Sequence, residues 1–269
     1  MDSISSVSNP RIKAAVRLRE RRPRERQGRF LIDGVREIGR ALDSQFAVEE
    51  LFWCPELADP EASALAAQAE QRGVRVARVA PAVIARLTYG DRDDGPVAVA
   101  VNPERRLSQL PQSGLGLVAV LEALEKPGNI GAILRSADAA GVDAVIVADG
   151  GTDLFNPNTI RASLGVIFSL PVATASSAEA RAWLTRQGLK LFAARVDADR
   201  IYTQADFRQP AAIVLGSESS GLSEAWAGPN VQTIRLPMLG TADSLNVSTT
   251  AAVLFYEARR QRDRGSSAE

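Results

Sequence analysis

Four continuous apolar runs in the second half of the chain constrain its fold more than any other feature. They read LVAVLEA, DAVIVAD, KLFAARV and AAIVLGS, and helical patterns lie between them at residues 128–140, 158–164 and 178–187. A strand that is apolar at nearly every position is buried on both faces, as in a parallel sheet covered by helices. The repeating strand–helix order therefore predicts an α/β domain with an open parallel sheet and right-handed crossovers.

The first hundred residues carry a smaller α/β pattern of their own. Short strands such as RFLIDG and VEELFWC alternate with amphipathic helices, one of them opened by Asp59 and Pro60. Residues 102–116 are rich in Pro, Gly, Ser and Gln and have no apolar periodicity, which is typical of a linker. A chain of 269 residues is long enough for two domains. The sequence thus predicts one domain at 1–101 and another at 117–269, joined by a linker at 102–116.

The compartment is predicted from what the chain lacks in sequence. No apolar run approaches the roughly 18 residues of a membrane span, and the N-terminal stretch MDSISSVSNPRIK has no apolar signal core. The single cysteine, Cys54, cannot form an internal disulfide. A cytoplasmic protein without membrane contact is expected.

The absence of histidine restricts the chemistry. With 0 His in the sequence, Ser-His-Asp and Cys-His nucleophilic machinery, histidine general bases and most zinc sites are excluded. Chemistry in this chain has to use Arg, Lys, Asp, Glu, Ser, Asn or backbone groups, or a bound cofactor that carries the difficult step. No metal is expected.

The net charge of +0 conceals a local excess of cations. Residues 11–29, RIKAAVRLRERRPRERQGR, hold nine Lys or Arg against two Glu. Such a cluster is either a solvated helix face with a loose arm or a surface for polyanions, because phosphate neutralisation needs only such a patch. Contact with a nucleic acid is the hypothesis that we favour.

The first of three unusual loops follows the strand that ends near Ala123. It reads LEKPGNIGAILRSADAAG, and its Pro and Gly residues shape a tight turn into a helix whose first N–H groups favour anions. Asn129 lies at the helix entry, and Arg135 lies one turn beyond Gly131 on the same face. An ordinary capping Asn and a surface Arg remain an alternative. The GxxxxGK[ST] pattern of a phosphate loop is absent.

The second loop, IVLGSESSGLSEAW, connects a buried strand to a helix. Gly216 would allow a close approach to the backbone, Gly221 suits a turn with positive φ, and Glu218 is the carboxylate between them. A plain strand–turn–helix connection is the alternative.

The third loop, IRLPMLGTADSLNVS, follows a strand that is expected to end at Leu236. It leads through Ser244, Leu245 and Asn246 into the last helix, which Asn246 or Ser248 could simply cap. Ligands of open α/β sheets bind beyond the carboxyl ends of the strands, where all three loops are expected to lie.

Taken in order, these segments resemble the three motifs of the SpoU (TrmH-like) RNA 2′-O-ribose methyltransferases of the SPOUT superfamily. The matching stretches are PGNIGAILRSADAAG, IVLGSESSGLS and IRLPMLGTADSLNVSTTAAVLFYEARRQR. The front portion, from SNPRIK to IGRAL, resembles the ribosomal-protein-like domain that often precedes this fold and binds the RNA substrate. One departure is Leu236, which stands where family members often have Ile.

The resemblance implies a fold, a cofactor and an assembly. It implies S-adenosylmethionine bound in a deep trefoil knot of the C-terminal domain, and a homodimer with the active site at its interface. The implied invariant positions are Asn129, Arg135, Glu218, Ser244 and Asn246, and the implied donor pocket uses Gly216, Leu236 and Leu245.

Arg135 is the central candidate for catalysis. In related enzymes the corresponding arginine is proposed as the base, a role that suits a guanidinium poorly because it does not readily give up its own proton. In a second account, Arg135 binds the target phosphate and stabilises the forming alkoxide, and the proton leaves to phosphate or water. Asn129 and Glu218 are expected to hold Arg135 and the motif loops in place.

The resemblance therefore predicts S-adenosylmethionine-dependent 2′-O-methylation of a ribose in ribosomal RNA, with the large subunit favoured and a role in antibiotic resistance left open. A tRNA ribose methyltransferase and a catalytically silent ribosome-assembly factor are the alternatives. The methylated nucleotide is not determined by the sequence. A nucleotide-binding dehydrogenase is excluded because no GxGxxG turn with a ribose-binding acid at the expected spacing is present.

Overall fold

The computed structural model describes residues 2–89 and 95–266. The first part of the chain alternates five strands with five helices. Its elements are β1 (Asp2–Ile4), α1 (Pro10–Arg17), α2 (Arg21–Gln27), β2 (Arg29–Asp33), α3 (Val35–Asp43), β3 (Val48–Trp53), α4 (Pro60–Gln71), β4 (Arg75–Val79), α5 (Pro81–Leu87) and β5 (Val97–Val101).

The remainder of the chain contributes six strands and four helices to the described structure, with short 3-10 turns between them. Its elements are β6 (Leu117–Glu122), α6 (Pro127–Ala140), β7 (Ala144–Ala148), α7 (Pro157–Ala162), β8 (Val172–Ala175), α8 (Ser177–Arg186), β9 (Lys190–Ala194), β10 (Ala211–Leu215), β11 (Val231–Ile234) and α9 (Val247–Ser266).

The apolar runs form a parallel sheet, as the sequence predicts. The strand order is β11-β9-β10-β6-β7-β8, and every neighbouring pair is parallel. The central strands β6, β7 and β10 are buried at every position, which explains why their sequences lack alternation. The third loop begins earlier than expected, because β11 ends at Ile234 and Leu236 lies beyond it.

The front part of the chain forms a mixed sheet of five strands in the order β1-β4-β3-β5-β2. The strands β1, β4 and β3 pair in parallel, whereas β5 pairs antiparallel with both β3 and β2. The helix α4 begins as the sequence predicts, because the Asp59 side chain accepts a hydrogen bond from the Ala62 N–H and Pro60 occupies the first helical position.

Contacts divide the chain into two compact units, and each unit consists of two separate stretches of the sequence. Unit 1 contains residues 1–104 and 153–169, and unit 2 contains residues 105–152 and 170–269. Most of the predicted linker belongs to unit 2, where Leu110 is buried in the core. The domain limits of 101 and 117 stay predictions, but the segment 153–169, which they assign to the second domain, packs within unit 1.

Aromatic stacking and one buried ion pair hold the segment 153–169 in unit 1. The ring of Phe155 stacks on that of Phe30 with centroids 4.2 Å apart, and Phe168 lies against Phe46 at 4.9 Å. The buried Arg24 side chain forms an ion pair with Asp153 at 2.5 Å. Since Phe30 is 0% exposed, these rings complete the core of the unit.

We expect the substitution Phe155→Ala to destabilise unit 1 by about 3–5 kcal/mol, because it removes a buried ring from a close-packed cluster. Urea unfolding followed by circular dichroism measures the change. Leu57→Ala is the control, since Leu57 is 44% exposed in the same unit and its loss should cost less than about 0.5 kcal/mol. Equal midpoints for the two variants would contradict the packing role of Phe155.

Candidate functional site

The carboxyl ends of three strands of the parallel sheet meet around a cavity of about 470 Å³ in unit 2. Its lining comes from residues 194–197 after β9, 215–222 after β10, and a set within 234–250 after β11. The second and third of these segments are the loops that the sequence singled out. Residues 194–197 were missed, although they also follow a predicted strand at the same edge of the sheet and could have been inferred from that position.

The cavity gathers all three residues of the predicted donor pocket. Gly216, Leu236 and Leu245 line it, together with Ser244 and Glu218. Leu245 is 39% exposed although it is a large apolar residue, so its side chain is free to contact a ligand. The structure thus brings together five of the eight predicted site residues in one cavity.

The reason for glycine at position 216 lies in the loop itself. A Cβ atom built on Gly216 would lie 2.4 Å from the carbonyl carbon and oxygen of Gly221 and 2.7 Å from the Leu222 nitrogen. The loop folds back there, with the Gly221 N–H donating to the Ser217 carbonyl oxygen at 3.0 Å and with φ of 66° at Gly221. The positive φ at Gly221 is as predicted. The close approach at Gly216 is made by the chain's own backbone.

A second cavity of about 230 Å³ lies beside the first. The two cavities share Ser217, Glu218, Ser219 and Val247, and the second is completed by residues 124–126 and Asn129. The predicted donor residues line only the first cavity, Asn129 lines only the second, and Glu218 lines both. The site therefore has two adjacent compartments with a common wall.

Glu218 is the centre of a hydrogen-bonded network that joins the three loops. Its Oε1 atom accepts from Asn129 Nδ2 at 3.0 Å and from Asn246 Nδ2 at 2.8 Å, and its Oε2 atom accepts from Lys126 Nζ at 2.5 Å. Lys126 was not among the predicted site residues. No sequence pattern shows that the ammonium group of Lys126 reaches a carboxylate 92 positions away.

Asn246 has both of the roles that the sequence left open. Its Oδ1 atom accepts from the Ser248 N–H at 2.9 Å, as the capping residue of α9 does. Its Nδ2 atom is then directed to Glu218 and, at 3.3 Å, to Asn129 Oδ1. Asn246 can therefore cap α9 and join the network at the same time, because the cap uses its amide oxygen and the network uses its amide nitrogen.

The network stabilises the ionised form of Glu218. The hydrogen bond from the Lys126 ammonium lowers the pKa of the Glu218 carboxyl, and the same contact raises the pKa of Lys126. A carboxyl with a lowered pKa loses its stabilising contacts only when the pH falls through that lowered value. Glu218 therefore acts here as a hydrogen-bond acceptor and is a weak base.

Arg135 does not join this network within the chain. Its side chain is exposed on α6 and forms no hydrogen bond or ion pair with any residue in the described ranges. The expectation that Asn129 and Glu218 hold Arg135 has no supporting contact in the structure, because both bind Asn246 and Glu218 binds Lys126 instead. Position 135 lies six residues beyond Asn129, so the two side chains emerge on different sides of the helix.

A buried carboxylate holds the far end of the second loop. Glu122, at the end of β6, is 2% exposed. Its Oε1 atom accepts from Ser177 Oγ, Ser223 Oγ and Trp226 Nε1 at 2.5, 2.7 and 2.9 Å, and its Oε2 atom accepts from the Ser223 N–H at 2.7 Å. Because residues 215–222 lead directly into Ser223, Glu122 fixes one end of the cavity wall to the central sheet.

We expect Glu122→Gln to lower the free energy of unfolding of unit 2 by about 1–3 kcal/mol, because its amide N–H₂ would face a backbone N–H or another donor in a buried position. The change is measured by denaturant unfolding followed through tryptophan fluorescence. The control is Glu224→Gln, the same chemical change at an exposed residue of the adjacent turn. A loss no greater than that of the control would show that the four donors find other acceptors.

The described ranges contain neither a membrane-spanning helix nor a metal-ligand cluster. None of the helices in residues 2–89 and 95–266 is both long and apolar enough to cross a bilayer. Among the same residues, no group of three or more His, Cys, Asp or Glu could hold a metal ion.

Two family models match this chain in succession. The model of the SpoU rRNA methylase family matches residues 116–256. The model of the MRM3-like substrate binding domain matches residues 9–98. Together they match most of both units, and the first contains every residue of the two cavities.

Known proteins resemble the chain over nearly its whole length. A 23S rRNA (uridine(2479)-2′-O)-methyltransferase of Streptomyces viridochromogenes is 35% identical over 93% of this chain and 89% of its own. A crystal structure of an RNA 2′-O ribose methyltransferase is 44% identical, covers 97% of this chain and 99% of its own, and superposes with a TM-score of 0.83. An AdoMet-bound rRNA methyltransferase of Sinorhizobium meliloti is 29% identical over 96% of this chain and 97% of its own, with a TM-score of 0.86.

Proposed function

Because this chain belongs to the SpoU rRNA methylase family, we propose that it transfers a methyl group from S-adenosylmethionine to the 2′-oxygen of a ribose in ribosomal RNA, with the large subunit favoured. The observation that carries the proposal is the convergence of the three motif loops on two adjacent cavities with a common wall. A direct transfer between two bound reactants needs such neighbouring compartments.

The larger cavity fits the methyl donor. Its volume of about 470 Å³ lies within the range of about 300–1,000 Å³ that is usual for sites of small ligands and cofactors. Apolar side chains such as Leu236 and Leu245 can contact an adenine ring. Arg195 and Asp197 also line the cavity, where they form an ion pair with each other at 3.0 Å. When bound, S-adenosylmethionine supplies an electrophilic methyl group on a positively charged sulfur.

The smaller cavity is proposed to receive the target ribose. Asn129 and Lys126 line it, and Glu218 and Val247 separate it from the donor cavity. The ionised Glu218 accepts bonds from both asparagines and thereby holds the first and third loops at a constant distance. In this proposal Asn129, Glu218 and Asn246 position the acceptor, and Ser244 orients the ribose from the adjacent donor cavity that it lines. The proton of the ribose hydroxyl leaves to phosphate or water.

Arg135 is proposed to act across a homodimer interface. It is exposed and unengaged among the described residues, so its guanidinium is available to grip a target phosphate beside the site of a second copy. Large apolar side chains that are exposed in the same unit, Leu239 at 98% and Tyr256 at 52%, support burial against such a copy. A trefoil knot in the C-terminal domain and action in the cytoplasm belong to the same proposal.

The decisive experiment incubates the purified protein with methyl-labelled S-adenosylmethionine and, separately, unmodified ribosomal RNA and tRNA. The label is then mapped by mass spectrometry. Label on a ribose 2′-oxygen of ribosomal RNA is expected. Label only in tRNA would show that tRNA is the substrate instead. If neither RNA is labelled and calorimetry detects no binding of the donor, the protein is a silent RNA-binding factor.

A further inference from the structure

The cations of residues 11–29 fall into two classes in the structure. Five of the nine side chains are engaged within the protein, by carboxylates or by backbone carbonyl groups. They are Arg11 with Asp2 and Glu50, Arg19 with the carbonyl oxygens of Arg86 and Thr88, Arg21 with Glu25, Arg24 with Asp153, and Arg29 with Glu49.

Arg24 shows most clearly what the engaged class does. Its side chain is 3% exposed, and beyond its ion pair its Nη1 atom donates to the carbonyl oxygens of Leu18 and Arg19 at 2.8 and 2.7 Å. Those carbonyl groups follow directly after α1. Arg24 therefore joins α2 to the end of α1 and fixes how the two helices meet, so this cation serves the fold and is not accessible to a ligand.

Four cations remain, and they are arranged in two pairs. Lys13 and Arg17 lie four residues apart on α1, and Arg22 and Arg26 lie four residues apart on α2. All four side chains are exposed, and none forms an ion pair with a residue in the described ranges. Side chains at this spacing are neighbours on one face of a helix, about 5–6 Å apart at Cβ. Each helix buries its other side.

We propose that these four residues, the cationic face, contact backbone phosphates of the RNA substrate. The proposal rests on the proposed function and adds the residues of unit 1 that bind the RNA. A protein with a net charge of +0 attracts a polyanion only through such local excess. Unpaired Lys and Arg bind phosphate with release of counterions, whereas a cation already paired to a carboxylate contributes little to that release.

The composition of the two helices favours RNA over an anionic membrane. Amphipathic helices that bind at bilayers expose large apolar side chains beside their cations. Neither α1 nor α2 exposes a large apolar side chain. The cationic face thus offers charge without an apolar surface, which suits a phosphate backbone.

Three double variants of the full-length protein test the proposal, and each removes two charges. They are Lys13→Gln with Arg17→Gln, Arg22→Gln with Arg26→Gln, and the control Arg36→Gln with Arg78→Gln. Arg36 and Arg78 are exposed in the same unit, and neither forms an ion pair with another described residue. Affinity for an unmodified 23S rRNA transcript is measured across a series of salt concentrations.

The slope of log affinity against log salt is negative, and we expect each of the first two variants to reduce its magnitude by about 1.5, since each lost phosphate contact accounts for roughly 0.7–0.9. The KM for rRNA should rise while the affinity for S-adenosylmethionine stays that of the wild type. The control should keep the wild-type slope.

The cationic face would be overturned if the first two variants kept the wild-type salt dependence, or if the control lost as much of it as they do. The proposed function would remain intact in either case, provided that the wild type methylates rRNA. Binding to phosphatidylserine vesicles that depends on these four residues, with unchanged RNA binding, would assign the face to a membrane and also overturn the proposal. If the wild type methylates no RNA, the proposed function itself fails.

Discussion

Replacing Gly216 with alanine is expected to weaken the binding of S-adenosylmethionine by 100-fold or more, about 2.7 kcal/mol at 25 °C. The added Cβ would lie 2.4 Å from the carbonyl group of Gly221, a distance that only a shift of backbone can relieve. The displaced residues 217–222 form one wall of the donor cavity. Isothermal titration calorimetry with S-adenosylmethionine measures the loss.

Alanine substitutions at two further glycines test whether the loss of donor affinity is specific to position 216. Gly240 lies in the third loop, and a Cβ added there would meet nothing within 4 Å, so Gly240→Ala should bind the donor as the wild type does. A Cβ added at Gly221 would also meet nothing within 4 Å, but the φ of 66° is unfavourable for alanine. The backbone strain in Gly221→Ala should therefore destabilise the folded protein by about 1–2 kcal/mol. Wild-type affinity in Gly216→Ala, with normal circular dichroism, would refute the assignment of this cavity to the donor.

The second large effect is expected at Arg135. Arg135→Ala should lower kcat for rRNA methylation by about 10²–10³-fold, in the range observed when a preorganised donor to a developing negative charge is removed. Affinity for S-adenosylmethionine should not change, because Arg135 lies outside the donor cavity. Single-turnover methylation of an rRNA transcript and calorimetry with the donor measure the two quantities separately.

Arg135→Lys distinguishes between two accounts of that loss. A planar guanidinium can bind a phosphate through two parallel hydrogen bonds, which an ammonium cannot reproduce. The lysine variant should therefore remain at least tenfold slower than the wild type. Arg186→Ala is the control, since Arg186 is an exposed arginine on another helix of the same unit. If Arg135→Lys methylates rRNA at the wild-type rate, the reaction requires only a positive charge at this position.

The architecture and the main loops could be predicted because their signals are local in sequence. The uninterrupted apolar residues of β6 and β10 required burial on both faces, and that condition implied a parallel sheet. Strand ends of a parallel sheet share one edge, so loops that follow different strands were expected to meet. The structure confirms that meeting for the loops after β10 and β11.

The partners of individual side chains could not be predicted in this way. Lys126 pairs with a carboxylate 92 positions away, and the four donors to Glu122 come from two distant segments. Arg135 was expected to contact Asn129, although a helical turn of 3.6 residues places them on different faces. Hydrophobic periodicity carries no information about which polar groups meet.

The sequence by itself determined the class of fold, the two-part organisation and the three loops that line the site, because strand burial, helix caps and glycine turns depend on neighbouring residues. Only the tertiary structure decided which arginines of residues 11–29 are engaged within the protein, that residues 153–169 complete unit 1, and that Glu218 joins Asn129, Lys126 and Asn246. The physical reason is that a polar contact is selected by the position of both partners in space, and those positions follow from the packing of elements that are distant in the chain.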